Sequence, residues 1–259
     1  MTKLAANLTM LYNEVDFLDR FEAASKSGFK GVEYLFPYAY PKEQLAERLE
    51  RHRLTQVLHN LPAGDWAKGE RGIACHPDRV GEFQEGVGKA IDYATTLKCK
   101  QVNCLAGIAP AGVDSAKVRA TFVSNLRFAA DKLAAAGIKL LIEPINTFDI
   151  PGFYLSHTQQ ALDLIRDTGS SNLFVQYDIY HMQRMEGELA NTIKAHLGQI
   201  PHLQLADNPG RNEPGTGEIN YRFLFGFLDA IGYSGWIGCE YKPKGNTNEG
   251  LAWRSAHGV

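Results

Sequence analysis

Residues 118–144 read VRATFVSNLRFAADKLAAAGIKLLIEP, and this stretch contains one complete repeating unit of the fold. Its first part carries apolar residues at helical spacing, namely Val118, Phe122, Leu126 and Leu133. Gly137 follows where a helix is expected to end in the left-handed conformation that glycine adopts without steric cost. Residues 138–143 are a short apolar run that ends on a carboxylate, Glu143, before Pro144. The stretch therefore predicts a helix, a tight turn and a buried strand that carries Glu143 at its carboxyl end.

The same alternation recurs along the rest of the chain. Further helical stripes occupy residues 80–97, 189–197 and 223–231, and Gly28 and Gly232 repeat the placement of Gly137. Asn13 and Asn246 each precede an acidic residue by three positions, which predicts two helix starts. Short apolar runs predict eight strands, at residues 4–8, 31–35, 55–59, 101–105, 138–143, 173–178, 202–205 and 236–240. Strands that each precede a helix favour a closed parallel (β/α)8 TIM barrel, with an open, doubly wound α/β sheet as the alternative.

Length, charge and cysteine content limit the possible classes of protein. The chain has 259 residues, and a barrel of this kind takes about 250 residues as one domain; since no linker divides it, we expect one domain over residues 1–259. The net charge of −2 and the lack of a basic stretch predict no nucleic-acid partner. No run of about 18 apolar residues and no signal-peptide pattern are found, which predicts no membrane partner and a cytoplasmic location. The four cysteines form no C-x-x-C pair, so we expect reduced, mostly buried thiols.

The predicted loops differ in length at the two ends of the barrel. Helix-to-strand connections are short, whereas strand-to-helix connections are long, at residues 60–79, 144–156 and 206–220. In a barrel the strand-to-helix loops build the carboxyl-terminal face, where active sites lie. Loop length therefore predicts that the functional site lies on this face.

Four consecutive predicted strands end on side chains that can bind a metal ion. They are Glu143, Asp178, Gln204 and Glu240, on strands five to eight. Neighbouring strands lie about 4.8 Å apart, so these side chains can converge on one point. Carboxylate and amide oxygens suit Mg²⁺ or Mn²⁺ better than Zn²⁺. Each carboxylate alone has an ordinary alternative role as a helix cap or an ion-pair partner, but the joint pattern predicts a site.

Other polar residues near the predicted strand ends are candidates for substrate binding. His181 follows Asp178 by three residues and either reaches a substrate oxygen or orders its own loop. His59 either binds a substrate hydroxyl, with Asn60, or holds the loop that follows. Arg211 is a bidentate partner for a substrate carboxylate or a solvated loop charge, and Lys242 supplies charge near the site or extends to solvent. Trp66, in the loop at residues 60–79, is either a lid over a small substrate or ordinary packing.

Several catalytic motifs are absent from the sequence. We find no phosphate-binding P-loop, no G-x-G-x-x-G after the first strand, no G-x-S-x-G and no H-E-x-x-H. Nucleotide-driven, serine-hydrolase and zinc-protease chemistry are therefore not indicated. We expect a divalent cation as the cofactor, and no organic cofactor.

The chain resembles the hydroxypyruvate isomerase family of the xylose-isomerase-like barrel superfamily over essentially its whole length. The segments that carry the resemblance are AANLTMLYNE, GVEYLFPY, LHNLPAGDWAKGERGIAC, LIEPINTFDIPGF, QYDIYHMQRMEGEL, HLQLADNPGRNEPGTGEINY and GWIGCEYKP. The resemblance implies that Glu143 and Glu240 are the proton donor and acceptor. It implies that Glu143, Asp178, Gln204 and Glu240 hold a divalent metal, although the related sugar 3-epimerases have a histidine where this chain has Gln204. In those epimerases the position of His181 contacts the substrate.

The resemblance also implies a reaction. The expected activity is that of an intramolecular oxidoreductase that interconverts hydroxypyruvate and 2-hydroxy-3-oxopropanoate through an enediolate, acting on a small-molecule substrate. The alternatives on the same barrel are a 2-oxo-tetronate isomerase, which is the sister group, and a ketose 3-epimerase. More distant alternatives are a DNA-repair endonuclease, which needs more histidine ligands and a basic face, and a non-catalytic binding protein. A homo-oligomer is a common state for such an enzyme.

Overall fold

The eight short apolar runs of the sequence form the eight strands of one closed parallel barrel. The computed structural model describes residues 2–259. The strands are β1 (Lys3–Asn7), β2 (Gly31–Glu33), β3 (Thr55–Asn60), β4 (Gln101–Cys104), β5 (Lys139–Ile142), β6 (Leu173–Asp178), β7 (His202–Leu205) and β8 (Trp236–Cys239). Each strand pairs in parallel with the next, and β8 pairs with β1 to close the barrel. The predicted (β/α)8 barrel is confirmed, and the alternative of an open sheet is wrong.

Helices surround the barrel and cover its outer face. They are α1 (Arg20–Lys26), α2 (Lys42–His52), α3 (Val80–Thr96), α4 (Ser115–Ala135), α5 (Thr158–Thr168), α6 (Ile179–Met185), α7 (Leu189–Ala195), α8 (Tyr221–Ala230), α9 (Thr247–Gly250) and α10 (Trp253–His257). The apolar stripe of α4 is buried, with Phe122, Leu126 and Leu133 fully inaccessible to solvent. Most of the core lies in this layer between strands and helices, as expected for a barrel whose helices each bury one face.

The predicted helix boundaries are confirmed at most positions. Gly137 follows α4 with a φ of 68°, the left-handed conformation expected of it, and Gly28 and Gly232 adopt it as well. Asn246 caps α9 by accepting a hydrogen bond from the backbone N–H of Asn248. The prediction for Asn13 is wrong, because its side-chain amide instead donates to backbone carbonyls at residues 9 and 10. The first helical turn begins only after Asp16.

The barrel interior contains both apolar and polar side chains. Ala5, Val57, Leu58 and Leu141 form a small apolar cluster, of which Leu58 lies at the level of Glu33 and lines the cavity. Toward the carboxyl ends the inward side chains are polar, and Glu33 is among them with 1% of its surface exposed. Gly238 on β8 makes room for this carboxylate, since a Cβ at that position would lie 2.2 Å from Glu33 Oε1. The barrel interior thus becomes more polar toward the carboxyl-terminal face.

Two further observations bear on the predictions about the chain as a whole. All four cysteines are unpaired and buried, as predicted. Among residues 2–259, no helix has both the length and the apolarity that crossing a membrane requires.

Candidate active site

A cavity opens at the carboxyl-terminal face, where we expected the functional site from the length of the loops. Its volume is about 390 Å³, which suits a small molecule. Both strand ends and strand-to-helix loops line it, through Asn7, Met10, Glu33, Tyr34, Leu35, Leu58, Asn60, Trp66, Leu105, Glu143, Ile145, Ile150, Gln176, His181, Gln204, Arg211, Glu240 and Lys242.

Four ionisable side chains meet at one wall of this cavity. Glu143, Asp178, His181 and Glu240 are all buried, and each offers a ligand atom within 4.8 Å of the others. Glu143 and Glu240 directly follow β5 and β8, and Asp178 is the last residue of β6. Three of the four predicted metal ligands therefore converge, and His181, predicted as a substrate contact, lies among them.

Glu143 has mainly neutral neighbours on its hydrogen-bonding side. Asn103 Nδ2 donates to Glu143 Oε2 over 3.0 Å. Burial raises the pKa of Glu143 well above its usual range, and the negative charges of Glu240 and Asp178 raise it further. A proton is therefore held more easily here than on an exposed glutamate.

The negative charge of Glu240 is compensated by the guanidinium of Arg211. Arg211 donates to Glu240 Oε2 over 2.6 Å, and Asn7 Nδ2 donates to Oε1 over 3.1 Å. Burial raises the pKa of Glu240 to about 7, although Arg211 acts in the opposite direction. The negative charge of Glu240 also raises the pKa of Glu143, so the protonation states of the two glutamates depend on each other.

Asp178 has one oxygen engaged and one oxygen left over. Its Oδ1 caps α6 by accepting from the backbone N–H groups of Tyr180 and His181, at 2.7 and 3.3 Å. Its Oδ2 is buried and has no hydrogen-bond partner among the described residues, and Arg211 Nη2 lies 3.9 Å from it, beyond hydrogen-bonding distance. Burial raises the pKa of Asp178, an effect that Arg211 and the two backbone donors oppose. An unpartnered buried carboxylate oxygen is costly unless something positive binds it, so the donor set fits a divalent cation.

Gln204, the fourth predicted ligand, also lines the cavity, but both polar atoms of its side-chain amide form hydrogen bonds within the protein. Its Oε1 accepts from Gln176 Nε2 at 2.6 Å, and its Nε2 donates to Glu33 Oε1 at 2.7 Å. An amide oxygen has two lone pairs, so one remains for a cation. The role of Gln204 as a ligand stays a prediction.

His181 is buried beside the carboxylates and is kept neutral. Burial lowers the pKa of its imidazole well below the usual range, and the cations Arg211 and Arg184 act in the same direction. Its Nε2 lies 3.7 Å from Asp178 Oδ2 and 4.0 Å from Glu143 Oε1. A neutral imidazole at this place can donate or accept a hydrogen bond, depending on its tautomer.

Arg211 reaches the site because Asp207 organises the loop at residues 206–220. The Asp207 carboxylate accepts from the backbone N–H groups of residues 215, 217 and 219, at 2.8, 2.9 and 3.0 Å. Arg211 itself has a φ of 54°, and its guanidinium carbon lies 5.2 Å from the ring centre of Tyr180. Burial lowers the pKa of Arg211, but the nearby carboxylates outweigh this effect and raise it. Arg211 is thus a fixed cation in the cavity, not a solvated loop charge.

Of the remaining candidates, Lys242 and Trp66 line the cavity and His59 does not. Lys242 is exposed at the cavity mouth, and its backbone N–H donates to Arg211 O at 2.7 Å. Trp66 is 37% exposed. His59 points to the other side of β3 from its lining neighbours, packs against Tyr38 and has its pKa lowered to about 4 by burial. This placement agrees with the alternative that His59 holds the local structure.

Sequence reasoning named Asn60 but missed the other polar residues at the ends of the first four strands, which are Asn7, Glu33 and Asn103. Asn7, Glu33, Asn60 and Asn103 all lie at or near these strand ends, and all line the cavity or bond to a residue that does. Asn7 Nδ2 donates to Glu33 as well as to Glu240, at 3.0 and 3.1 Å. The signal was available, because each of these residues follows an apolar run, as the later carboxylates do.

Comparisons with known proteins agree with this fold. A profile of the family described as "Xylose isomerase-like TIM barrel" matches residues 21–257. A hydroxypyruvate isomerase of Escherichia coli K12 is 58% identical, covering 98% of both chains. A 2-oxo-tetronate isomerase of Cupriavidus necator is 47% identical, covering 98% of this chain and 97% of that one.

A solved structure is similar over the whole length. It is a crystal structure described as AP endonuclease, family 2, from Brucella melitensis, with a TM-score of 0.96 and 46% sequence identity, covering 99% of each chain. These matches cover nearly the whole chain. This chain therefore belongs to the hydroxypyruvate isomerase family of the xylose isomerase-like TIM barrels, and it is an isomerase.

Proposed function

We propose that this isomerase interconverts hydroxypyruvate and 2-hydroxy-3-oxopropanoate. The observation that carries the proposal is the pair of buried glutamates, Glu143 and Glu240, whose oxygens approach within 4.8 Å in a small cavity. The E. coli relative at 58% identity, which bears the name of this activity, supports it.

In this proposal the two glutamates move a proton between adjacent carbons. One carboxylate removes a proton from the hydroxymethyl carbon next to the ketone, which gives an enediolate. A proton then returns to the former ketone carbon, while the hydroxyl proton of the first carbon is lost and the former ketone oxygen gains one. No atom enters or leaves, so no external oxidant or reductant is needed. Carboxylates whose pKa is raised toward neutrality suit such transfers.

We further propose that Glu143, Asp178, Gln204 and Glu240 hold Mg²⁺ or Mn²⁺. The unpartnered Asp178 Oδ2 and the shared location of the carboxylates support this. When bound, the cation supplies Lewis-acid stabilisation of negative charge on the substrate oxygens. The protein residues orient the substrate and carry its protons.

Arg211 and Lys242 are the proposed partners of the substrate carboxylate. Both are cationic and line the cavity, Arg211 from inside and Lys242 from its mouth. Arg211 is bonded to Glu240 through one N–H of Nη2, and a guanidinium carries five N–H donors. The guanidinium therefore has donors left for an anionic substrate.

A second candidate, DNA cleavage at abasic sites, comes from the name of the similar Brucella structure. Three observations favour the isomerase instead. The net charge is −2, the ionisable cluster contains a single histidine, and the cavity suits a molecule much smaller than a duplex. Abasic-site DNA is therefore the control substrate.

The proposal is tested by offering the purified enzyme hydroxypyruvate with Mg²⁺ or Mn²⁺ and following the products by proton NMR. We expect 2-hydroxy-3-oxopropanoate to form, with a kcat/KM well above that for 2-oxo-tetronates and ketoses. No conversion of hydroxypyruvate, or a higher kcat/KM for a 2-oxo-tetronate, would overturn it. The cytoplasmic location and the homo-oligomeric state stay predictions from the sequence.

A further inference from the structure

The Nδ1 atom of His181 is in contact with a group that can only donate. Asn146 Nδ2 lies 2.6 Å from it, and both residues are buried. Asn146 is in the loop after β5, and His181 is in α6. The contact therefore links the loop after β5 to helix α6.

The orientation of the Asn146 amide is fixed by its other partners. Its Oδ1 accepts from the backbone N–H groups of Phe148 and Asp149, at 3.1 and 2.8 Å. Its Nδ2 donates to Asp149 Oδ2 at 3.1 Å. Rotating the amide by 180° would face its nitrogen toward two N–H donors and its oxygen toward a carboxylate, so only one orientation satisfies the network.

Asp149 is itself anchored to α6. Its Oδ2 accepts from the Tyr180 hydroxyl at 2.9 Å, and Arg184 forms an ion pair with Oδ1. The chain of contacts from Arg184 through Asp149 to Asn146 holds the amide against the imidazole.

This geometry decides where the ring proton lies. An amide NH₂ group carries no available lone pair, so His181 Nδ1 has to accept and is unprotonated. A neutral imidazole then carries its one proton on Nε2. The Nε2 atom faces the cavity side, at 3.7 Å from Asp178 and 4.0 Å from Glu143, and both distances exceed that of a hydrogen bond.

We propose that Asn146 is a positioning residue that holds His181 as the Nε2–H tautomer, so that His181 donates a hydrogen bond to a substrate oxygen and does not bind the divalent cation. A protonated ring nitrogen has no lone pair for a metal. The imidazole N–H is instead available to donate to a substrate oxygen that gains negative charge in the enediolate. The catalytic part of this proposal rests on the proposed isomerisation, whereas the tautomer does not.

Nitrogen-15 NMR of the histidine-labelled enzyme tests the tautomer directly, with and without Mg²⁺. Protonated and unprotonated ring nitrogens have well-separated nitrogen-15 shifts, and the signals of His181 among the eight histidines are those lost in His181→Gln. We expect a protonated Nε2 and an unprotonated Nδ1, unchanged by Mg²⁺. A protonated Nδ1, or an Nε2 that loses its proton when Mg²⁺ is added, would overturn the proposal.

Asn146→Asp tests the role of the amide. The carboxylate keeps the oxygen that accepts from the backbone but cannot donate to Nδ1, so the ring proton is expected to move to Nδ1 or to occupy both nitrogens. We expect kcat on hydroxypyruvate to fall about 100-fold, as for the loss of one transition-state hydrogen bond, with KM changing much less. Asn125→Asp, an equally buried amide on α4, is the matched control and should leave the His181 signals unchanged.

The two proposals fail in different ways. If the wild-type enzyme shows the expected tautomer but does not convert hydroxypyruvate, the substrate is wrong and the tautomer is supported. If Asn146→Asp moves the proton but keeps native kcat, the catalytic part of the inference is wrong. The wild-type spectrum decides the tautomer even if Asn146→Asp does not fold.

Discussion

At the scale of single residues, the side chains around the cavity differ in what compensates their charge. Glu240 is paired with Arg211 at 2.6 Å, whereas the hydrogen-bond donor closest to Glu143 is the neutral amide of Asn103. Asp178 keeps one oxygen without a hydrogen bond, 3.9 Å from Arg211. Because their charges are compensated unevenly, the three carboxyl groups differ in pKa more than they would in water.

Replacing either glutamate by glutamine removes its ability to carry a proton while its volume is kept. We expect Glu143→Gln and Glu240→Gln each to lower kcat on hydroxypyruvate by at least about 100-fold. Bound Mn²⁺ should be measured beside the rate, because both residues are also proposed ligands. Glu47→Gln, on the exposed surface of α2, is the control, and near-native turnover in either site variant would contradict the two-carboxylate mechanism.

Asp178→Asn tests the cation site separately from the fold. Asparagine caps helices as well as aspartate does, so α6 should keep its cap and the free energy of unfolding should change by no more than about 1 kcal/mol. The anionic oxygen facing the cluster is lost. We expect Mn²⁺ affinity, measured by electron paramagnetic resonance, to fall at least about tenfold. Unchanged Mn²⁺ affinity would remove Asp178 from the ligand set.

At the scale of secondary-structure elements, each strand end delivers one polar side chain, and the loops add to them. β1 contributes Asn7 and β2 contributes Glu33. The amide of Asn7 donates to both Glu33 and Glu240, and so links the ends of β2 and β8. The loop after β7 brings Arg211, because Asp207 holds three of its backbone N–H groups. The strands fix the ligand positions, and the loops decide which cations reach them.

The glycine of β8 is expected to be required for the position of Glu33. In Gly238→Ala the added Cβ would lie 2.2 Å from Glu33 Oε1, so the carboxylate has to move from its bonds with Asn7 and Gln204. We expect unfolding to become easier by about 1–3 kcal/mol and kcat to fall. Gly226→Ala in α8, where a Cβ meets nothing within 4 Å, should instead stabilise by roughly 0.5–1 kcal/mol. Equal stabilities of the two variants by urea unfolding would refute this account.

At the scale of the whole molecule, closure of the barrel separates the regions that provide stability from the region that provides chemistry. The apolar layer lies between strands and helices, while the ionisable cluster lies at one end of the barrel axis. Closure by the pairing of β8 with β1 places Glu240 beside Asn7, which is 233 positions away in sequence.

A core substitution far from the cavity should therefore affect stability and not catalysis. Leu126→Ala in α4 removes a fully buried side chain, and we expect it to lower the free energy of unfolding by about 2–5 kcal/mol. Urea unfolding measures this loss. KM and kcat at a temperature where the variant is folded should remain native, and a large change in KM would show that the helix layer and the site are coupled.

The sequence by itself determined the order of strands and helices, which favours a barrel, as well as the end of the strands that holds the site and the carboxylates there. Hydrophobic periodicity and loop length are local properties, and the last residues of parallel strands lie at the same edge of a sheet. The glutamates Glu143 and Glu240 were therefore visible from residue order alone.

Only the tertiary structure decided which side chains face one another. His59 and Asn60 are neighbours in sequence, but successive residues of a strand point to opposite faces, and only Asn60 lines the cavity. The pairing of Arg211 with Glu240 and the contact of Asn146 with His181 join residues 29 and 35 positions apart. Such partners depend on how loops from different strands meet above the closed barrel, and no local pattern contains that information.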